Sequence, residues 1–150
     1  MIKLNVRFTA DYRWVNLYSE KLKGKLKRAS KKAAELIADK IRSNILEGKR
    51  YDGKKVAKLL PSTIRRKGGD NRPLVHSLTL YKSIDVKELK NSYKIYVKPL
   101  KGRFSSRTPR DVVAKILQNG RRDMKARPFF GATKTFISQI DKEFKKIFDA

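Results

Sequence analysis

The chain opens with a two-residue hydrophobic period and then changes to a longer one. Every second residue from Ile2 to Phe8 is apolar, which predicts a half-buried β-strand. From Ser19 to Glu47 the apolar residues recur mostly at steps of three and four, as they do on one face of an α-helix. They are Leu22, Leu26, Ala29, Ala33, Leu36, Ile37, Ile41 and Ile45. We therefore expect a strand followed by one long helix, with Gly48 just past the helix end.

The next part of the chain, residues 49 to 71, is polar, basic and interrupted by glycines. Asp52-Gly53 is a turn signal. Pro61 to Arg66 are expected to form a single helical turn, because proline is well placed near a helix start. We expect the whole segment to be an exposed, partly mobile loop. Thr79 to Ile84 then predict a short helix or turn.

Two short runs follow that favour extended backbone. Asp85 to Leu89 and Tyr93 to Lys98 contain β-branched residues, and Lys90-Asn91-Ser92 between them suits a hairpin connection. This part of the chain therefore predicts an antiparallel pair of strands.

The C-terminal third predicts two helices. Thr108-Pro109 is a suitable helix start, and Gly120 ends that helix. Residues 133 to 148 carry an apolar stripe typical of an amphipathic helix. The predicted fold class is α+β, with a small, mainly antiparallel sheet packed with one long N-terminal helix and a C-terminal amphipathic helix. We expect one domain over residues 1–150, with mobile basic loops near 49–72 and 100–108.

The charge of the chain limits the kinds of partner it suits. Its 150 residues include 39 lysines and arginines against 14 aspartates and glutamates, a net charge of +25. Such a field favours a polyanion, meaning nucleic acid, an acidic protein surface or an anionic membrane. It also opposes self-association, unless the contacts bury opposite charges or exclude the basic face. The alternative is a uniformly basic surface that has no specific partner.

Several classes of protein are disfavoured by what the sequence lacks. There are no cysteines, so disulfides, thiolate metal sites and cysteine nucleophiles are excluded. The absence of cysteine also fits an assembly pathway in the cytosol. The N-terminal residues lack the continuous apolar run of a signal peptide. No stretch approaches the roughly 20 apolar residues that span a bilayer. We expect a soluble protein without a membrane partner.

Basic residues in the predicted loops are the candidate contacts with DNA or with an acidic protein. They are Arg65, Arg66, Lys67, Arg72, Arg103, Arg107, Arg110, Arg121 and Arg122. No helix-turn-helix, zinc-finger or RNA-binding aromatic motif accompanies them. Contacts with DNA would therefore be to phosphates and independent of sequence. For any single cluster, the alternative is a solvated surface.

Signals of an enzyme are weak. His76 is the only histidine, so the chain cannot build a multi-histidine metal site, and its neighbour Ser77 carries no implied catalytic geometry. Asp85 with Glu88-Leu89-Lys90 superficially resembles the carboxylate set of metal-dependent nucleases. However, residues three apart on one strand point to opposite faces of a sheet, which cannot hold one metal ion between them. We expect no enzyme, no cofactor and no small-molecule substrate.

The segment Arg127-Pro128-Phe129-Phe130 is a candidate for either core or subunit interface. Two aromatic rings and a proline would tie the last helix to the sheet. If the segment were a strand, neighbouring side chains would face opposite ways, and one phenylalanine would be left for a subunit contact.

Four blocks of sequence carry a resemblance to a known family. They are 59–67 around Pro61-Ser62-Thr63, 72–84 with Leu74-Val75 and Ser83-Ile84, Ile116-Leu117-Gln118-Asn119-Gly120, and 126–131 around Arg127-Pro128-Phe129. In this order the chain resembles the virion morphogenesis proteins of tailed bacteriophages, also called tail-completion or neck proteins. A glycine that is usual in the second block is replaced here by Leu78, and a tryptophan often found before Pro61 is missing.

The resemblance implies a structural protein of a phage or prophage. Such a subunit forms a homo-oligomeric ring at the head–tail junction, contacts other neck, portal-side and tail proteins, and lets DNA pass through. It implies a location in the virion, and in the host cytoplasm during assembly. The alternatives are a sequence-independent nucleic-acid-binding protein, architectural or ribosome-associated, and a metal-dependent nuclease.

Overall fold

The fold is seen in a computed structural model of the chain, which describes residues 3–6, 20–75, 78–90, 92–99, 110–121 and 124–149. For residues 3–6, 20, 21 and 110 it describes the backbone alone. The elements, in chain order, are β1 (Lys3–Val6), α1 (Glu20–Glu47), α2 (Pro61–Arg66), α3 (Thr79–Ser83), β2 (Ile84–Leu89), β3 (Ser92–Val97), α4 (Arg110–Asn119) and α5 (Lys134–Asp149). The predicted α+β class is confirmed, with a long N-terminal helix, a small antiparallel sheet and a C-terminal helix.

The three described strands form one antiparallel sheet in the order β1-β3-β2. β2 and β3 form the predicted hairpin, with Leu89 opposite Ser92. The alternation of β3 is clear, because Tyr93, Ile95 and Val97 are buried while the residues between them are partly exposed. β1 pairs with the other side of β3, so that Leu4 lies opposite Ile95.

Helix α1 covers the apolar face of this sheet. It contacts β2 and β3 along one side and α5 along another. Its buried positions include Ala29, Ala33 and Ala38, whose small side chains allow close approach of neighbouring elements. Gly48 follows the last turn with a φ of +62°, as predicted for the residue that ends this helix.

A single apolar cluster joins the helices to the sheet. Ile41 of α1, Ile95 of β3, Ala114 of α4 and Ile140 of α5 all belong to it. The extended segment before α5 contributes Phe129, the largest fully buried side chain among the described residues. α1, α3, α4 and α5 therefore meet in one core on the sheet. Val56 and Leu74 of the segment between α1 and α3 also pack in this core, whereas α2 within that segment has no buried residue.

Candidate functional site

The most basic described stretch of the chain is the basic segment, which we define as residues 48–75. It holds nine lysines and arginines against two aspartates. Its first turns are fixed by backbone hydrogen bonds from Val56 N to the Gly48 oxygen (3.0 Å) and from Tyr51 N to the Pro128 oxygen (2.9 Å). At its other end Leu74 and Val75 are buried. The segment is therefore anchored to the core at both ends.

Arg127 anchors the middle of the basic segment. Its Nε donates to the carbonyl oxygen of Ala57 (3.0 Å), and its Nη2 donates to that of Lys58 (3.2 Å). The side chain is buried, and burial lowers its pKa below the usual range of an arginine. A cation in this place is tolerated because carbonyl oxygens replace its lost water. Arg127 thus fixes the backbone three residues before α2 begins.

The segment around Arg127 is itself held by the end of α4. Gln118 makes two hydrogen bonds to Phe130, donating from Nε2 to the backbone oxygen (3.0 Å) and accepting at Oε1 from the backbone N–H (3.1 Å). The Arg127 N–H also donates to the Leu117 oxygen (2.7 Å). The Gln-Asn-Gly and Arg-Pro-Phe-Phe blocks of the sequence are therefore one structural unit.

α2 is presented to solvent by these anchors. None of its six residues, all of them described, is buried. Leu60, which immediately precedes it, is 63 % exposed. Arg65 and Arg66 are exposed in its last turn, and among the residues that the structure describes neither side chain has a hydrogen-bond or ion-pair partner. They are the candidate residues best placed to contact another molecule.

Two other candidates in the basic segment have intramolecular partners. Lys67 donates from Nζ to the carbonyl oxygen of Arg72 (2.6 Å), and its partial burial lowers its pKa. Arg72 pairs with Asp70 through two side-chain hydrogen bonds of 3.0 Å each. Hydrogen bonds from the Arg72 side chain and backbone lower the pKa of Asp70 to about 2. Lys67 and Arg72 therefore shape the loop after α2.

The remaining basic candidates are spread over the second half of the chain. Arg121 is exposed in a turn closed by paired backbone hydrogen bonds with Met124. Arg110 is the first residue of α4, where only its backbone is described. Arg103, Arg107 and Arg122 lie outside the described residues, as do His76, Ser77 and the predicted loop at 100–108.

Both phenylalanines of the Arg-Pro-Phe-Phe block are buried in the chain. Phe129 and Phe130 pack edge to face, with ring centroids 6.2 Å apart. Pro128, which precedes them, is partly buried and accepts the hydrogen bond from Tyr51. The segment belongs to no strand and bends at Phe130, so the strand alternation that would turn one ring outward does not apply. Of the two predicted roles, the described residues show core packing for this block.

The nuclease-like carboxylates occupy opposite faces of the sheet, as their spacing predicts. Asp85 accepts hydrogen bonds from Tyr96 Oη (3.0 Å) and Lys98 Nζ (2.9 Å). Burial opposes its ionisation, but these bonds outweigh burial and lower its pKa. Glu88 instead pairs with Lys27 of α1 at 2.8 Å. Among the described residues no cluster of acids and histidines is arranged to hold a metal ion.

Leu78 has an unusual backbone conformation. Its φ is +54°, and it is the one described residue other than glycine with a positive φ. A side chain in this left-handed region costs roughly 1–2 kcal/mol. This is the position at which the phage family usually has glycine.

Replacing Leu78 with glycine should stabilise the protein by about 0.5–1 kcal/mol. Relief of the left-handed strain exceeds the extra entropy that glycine gives the unfolded chain. Leu60→Gly is the control, because Leu60 is exposed with an ordinary φ of −66° and should lose about 0.5–1 kcal/mol. Guanidinium denaturation followed by circular dichroism measures both, and a destabilised Leu78→Gly variant would contradict the prediction.

A second surface feature, not anticipated from the sequence, lies between α1 and the edge of the sheet. This α1–β2 groove has a volume of about 500 Å³. It is lined by Lys31, Glu35, Asp39, Arg42, Asp85, Val86, Glu88 and Tyr93. Arg42 spans one end, donating to Asp39 Oδ1 (2.7 Å) and to the carbonyl oxygen of Ile84 (2.8 Å). Glu35 and Asp39, four residues apart on α1, were the available sequence signal, but the sequence did not indicate that β2 lies opposite them.

Comparison with known proteins gives no family assignment. No protein-family model matches the chain, and no curated protein or solved structure matches it either. None of the helices in the described ranges is long and apolar enough to cross a membrane.

Proposed function

We propose that the chain is a non-catalytic assembly subunit of a tailed phage or prophage, acting at the head–tail junction to complete the tail or join it to the head. The observation that carries this proposal is the left-handed backbone at Leu78, where the family usually has glycine. A left-handed backbone is a physical reason for glycine at a position, because glycine has no Cβ that would clash there. The backbone conformation at Leu78 therefore supports the proposal.

The other blocks of the resemblance also serve one structural purpose. Leu74, Ile84 and Phe129 belong to a single apolar cluster. Arg127 holds the backbone just before Pro61 through two carbonyl oxygens. Blocks far apart in sequence thus cooperate to present α2 to solvent, as a surface that is available to a partner.

The part of this surface that acts on a partner is assigned to Arg65 and Arg66. Both are exposed, and they lie in the last turn of α2. Their two charges suit an acidic neighbouring protein or the phosphates of passing DNA. As a subunit of the virion, the protein would be located there and in the host cytoplasm during assembly.

Charge reversal tests this assignment in the phage that encodes the chain. A phage lacking the reading frame should produce separate heads and tails, and the wild-type chain supplied in trans should restore joined particles. The R65E/R66E variant should fold but yield at least tenfold fewer infectious particles, because its surface repels the acidic partner.

K142E/K145E is the matched control, since it makes the same charge change at exposed positions of α5. Full infectivity of R65E/R66E would contradict the role of α2. Joined particles without any copy of this protein would contradict the proposed function itself. Electron microscopy and plaque titre provide the two readouts.

A sequence-independent nucleic-acid-binding protein is the second candidate, and the net charge of +25 favours it. The purified chain would then bind duplex DNA or RNA tightly, with an affinity that falls steeply as salt increases. Binding of this kind, together with an intact head–tail junction in the deletion phage, would replace the assembly proposal.

A further inference from the structure

The sheet has a second face, which takes no part in the core. Because side chains alternate along a strand, the residues between Tyr93, Ile95 and Val97 on β3, and their partners on β2, face away from α1. They are the cross-strand pairs Asp85–Tyr96, Lys87–Lys94 and Leu89–Ser92, which we call the outer face. In the described part of the chain, neither Leu89 nor Tyr96 belongs to the apolar cluster. The outer face is therefore a surface of the molecule.

Two lysines lie directly opposite each other on the outer face. Lys87 of β2 is paired in register with Lys94 of β3. Like charges in directly opposite positions destabilise a sheet. Lys87 is exposed, and its ammonium group makes no hydrogen bond or ion pair with the described residues. An anion bound beside this pair would offset the repulsion between the two cations.

Lys98 extends the same face one position beyond β3. Its N–H donates to the Ser83 oxygen (2.7 Å), which continues the ladder, and its Nζ pairs with Asp85 (2.9 Å). The Lys98 side chain is still 44 % exposed, and an exposed ion pair is weak enough for a phosphate to compete with it. Three lysines thus share the outer face with one aspartate, so its net charge is positive.

Tyr96 is the aromatic residue at the centre of the outer face. It lies on β3, the middle strand of the described sheet, and it is partly exposed. Its Oη donates to Asp85 Oδ2 (3.0 Å) on the neighbouring strand, so the side chain leans across the face. Lys94, Tyr96 and Lys98 follow one another at steps of two residues, about 7 Å each. An aromatic residue therefore stands between two cationic ones along the strand.

Cations that alternate with an aromatic side chain are the chemistry of a site for single-stranded nucleic acid. Phosphates of the strand pair with the cations, and an unpaired base of any identity stacks on the ring. The bases of a duplex are held inside the helix and do not reach such a ring. An acidic peptide would pair with the lysines, but it offers no base to Tyr96. The aromatic residue thus favours a single strand over the other polyanions.

We propose that the outer face of the sheet binds single-stranded DNA or RNA without sequence preference. Lys87, Lys94 and Lys98 contact phosphates, and Tyr96 stacks on one base. The site shares no residue with α2, so the inference goes beyond the proposed assembly function and does not depend on it.

The stacking contact is tested with the full chain and two substitutions of Tyr96. Fluorescence anisotropy measures binding of labelled oligothymidine and oligouridine of about 12 nucleotides, and the ratio of the two affinities distinguishes DNA from RNA. Tyr96→Leu should weaken binding about tenfold or more, because the base loses its aromatic partner. Tyr96→Phe keeps the ring and should bind within about twofold of the wild type.

Salt dependence tests the lysines. Each phosphate contact with a single strand contributes about 0.7 to the slope of log affinity against log salt, so K87Q/K94Q should reduce the magnitude of the slope by about 1.4. K142Q/K145Q removes two exposed lysines of α5 and is the matched control, which should leave the slope unchanged.

Circular dichroism checks that every variant folds. Failure of the wild type to bind either strand, or full affinity of Tyr96→Leu, would overturn the site. Equal losses for the two lysine variants would also overturn it, because they would show diffuse attraction by the net charge alone. Tighter binding of a duplex of the same length, or of a polyglutamate peptide, would replace the single strand with another polyanion. None of these results bears on head–tail joining in the deletion phage.

Discussion

Phe129→Ala should lower the free energy of unfolding by about 3–5 kcal/mol. The Phe129 side chain is fully buried and packs in the cluster that joins α1, the sheet, α4 and α5. Its removal leaves a cavity between elements that are held apart by their other contacts, so the site cannot collapse to fill it. Chemical denaturation followed by circular dichroism measures the loss.

Ile137→Ala is the control for Phe129→Ala. Ile137 lies on the apolar stripe of α5 but is 45 % exposed, so its truncation should cost less than about 1 kcal/mol. Equal losses for the two variants would mean that Phe129 is not the side chain that joins the elements.

Phe129 and Phe130 also show where sequence reasoning reaches its limit. Composition and position indicate that this segment contacts the core. Which of two adjacent rings faces inward depends on whether the backbone is a strand, and here it is an irregular segment fixed by Gln118. Neither ring is left for a subunit contact, and that outcome depends on a side-chain hydrogen bond that periodicity does not reveal.

The elements that the sequence predicted well have local causes. α1 and α5 follow from an apolar stripe at helical spacing, and the β2–β3 hairpin follows from β-branched runs around a short connection. The helical turn at α2 follows from Pro61 at its start. Each signal lies within the element that it specifies, so no knowledge of the tertiary structure is needed.

The candidate site was harder to predict because its roles are set by partners distant in sequence. Arg127 appeared as a core or interface residue, yet its particular role comes from carbonyl oxygens about 70 residues earlier in the chain. The pairing of Arg72 with Asp70, two residues away, was open to local reasoning. The α1–β2 groove was not, because it appears only when β2 lies beside α1.

The distribution of charge connects the fold to the proposed assembly. A chain with 39 basic residues favours anionic partners in general, which does not specify an interface. The structure pairs Arg72 internally and leaves Arg65 and Arg66 on an exposed helical turn. Specificity then comes from which cations remain available to a partner, rather than from the total charge.

Gly120→Ala should destabilise the protein by about 2–4 kcal/mol. Gly120 has a φ of +78°, and an added Cβ would lie 2.8 Å from the Met124 oxygen and 2.9 Å from the Ala126 nitrogen. The left-handed conformation alone costs roughly 1–2 kcal/mol for a residue with a side chain. The clash is with backbone, which cannot rotate away, and it adds a cost of similar size.

Gly24→Ala tests the same substitution where nothing opposes it. Gly24 lies inside α1, and apart from the adjoining helix backbone and its two chain neighbours no described atom lies within 4 Å of the added Cβ, so alanine should stabilise the helix by about 0.5–1 kcal/mol. Opposite signs for the two variants, measured by chemical denaturation, are the expected result, and a neutral Gly120→Ala would contradict it. The Gly120 turn lets Arg127 return to the Leu117 oxygen and reach the basic segment. Gly120→Ala should therefore also lower the yield of infectious particles from the deletion phage, because it disturbs the anchor of α2, whereas Gly24→Ala should leave that yield unchanged.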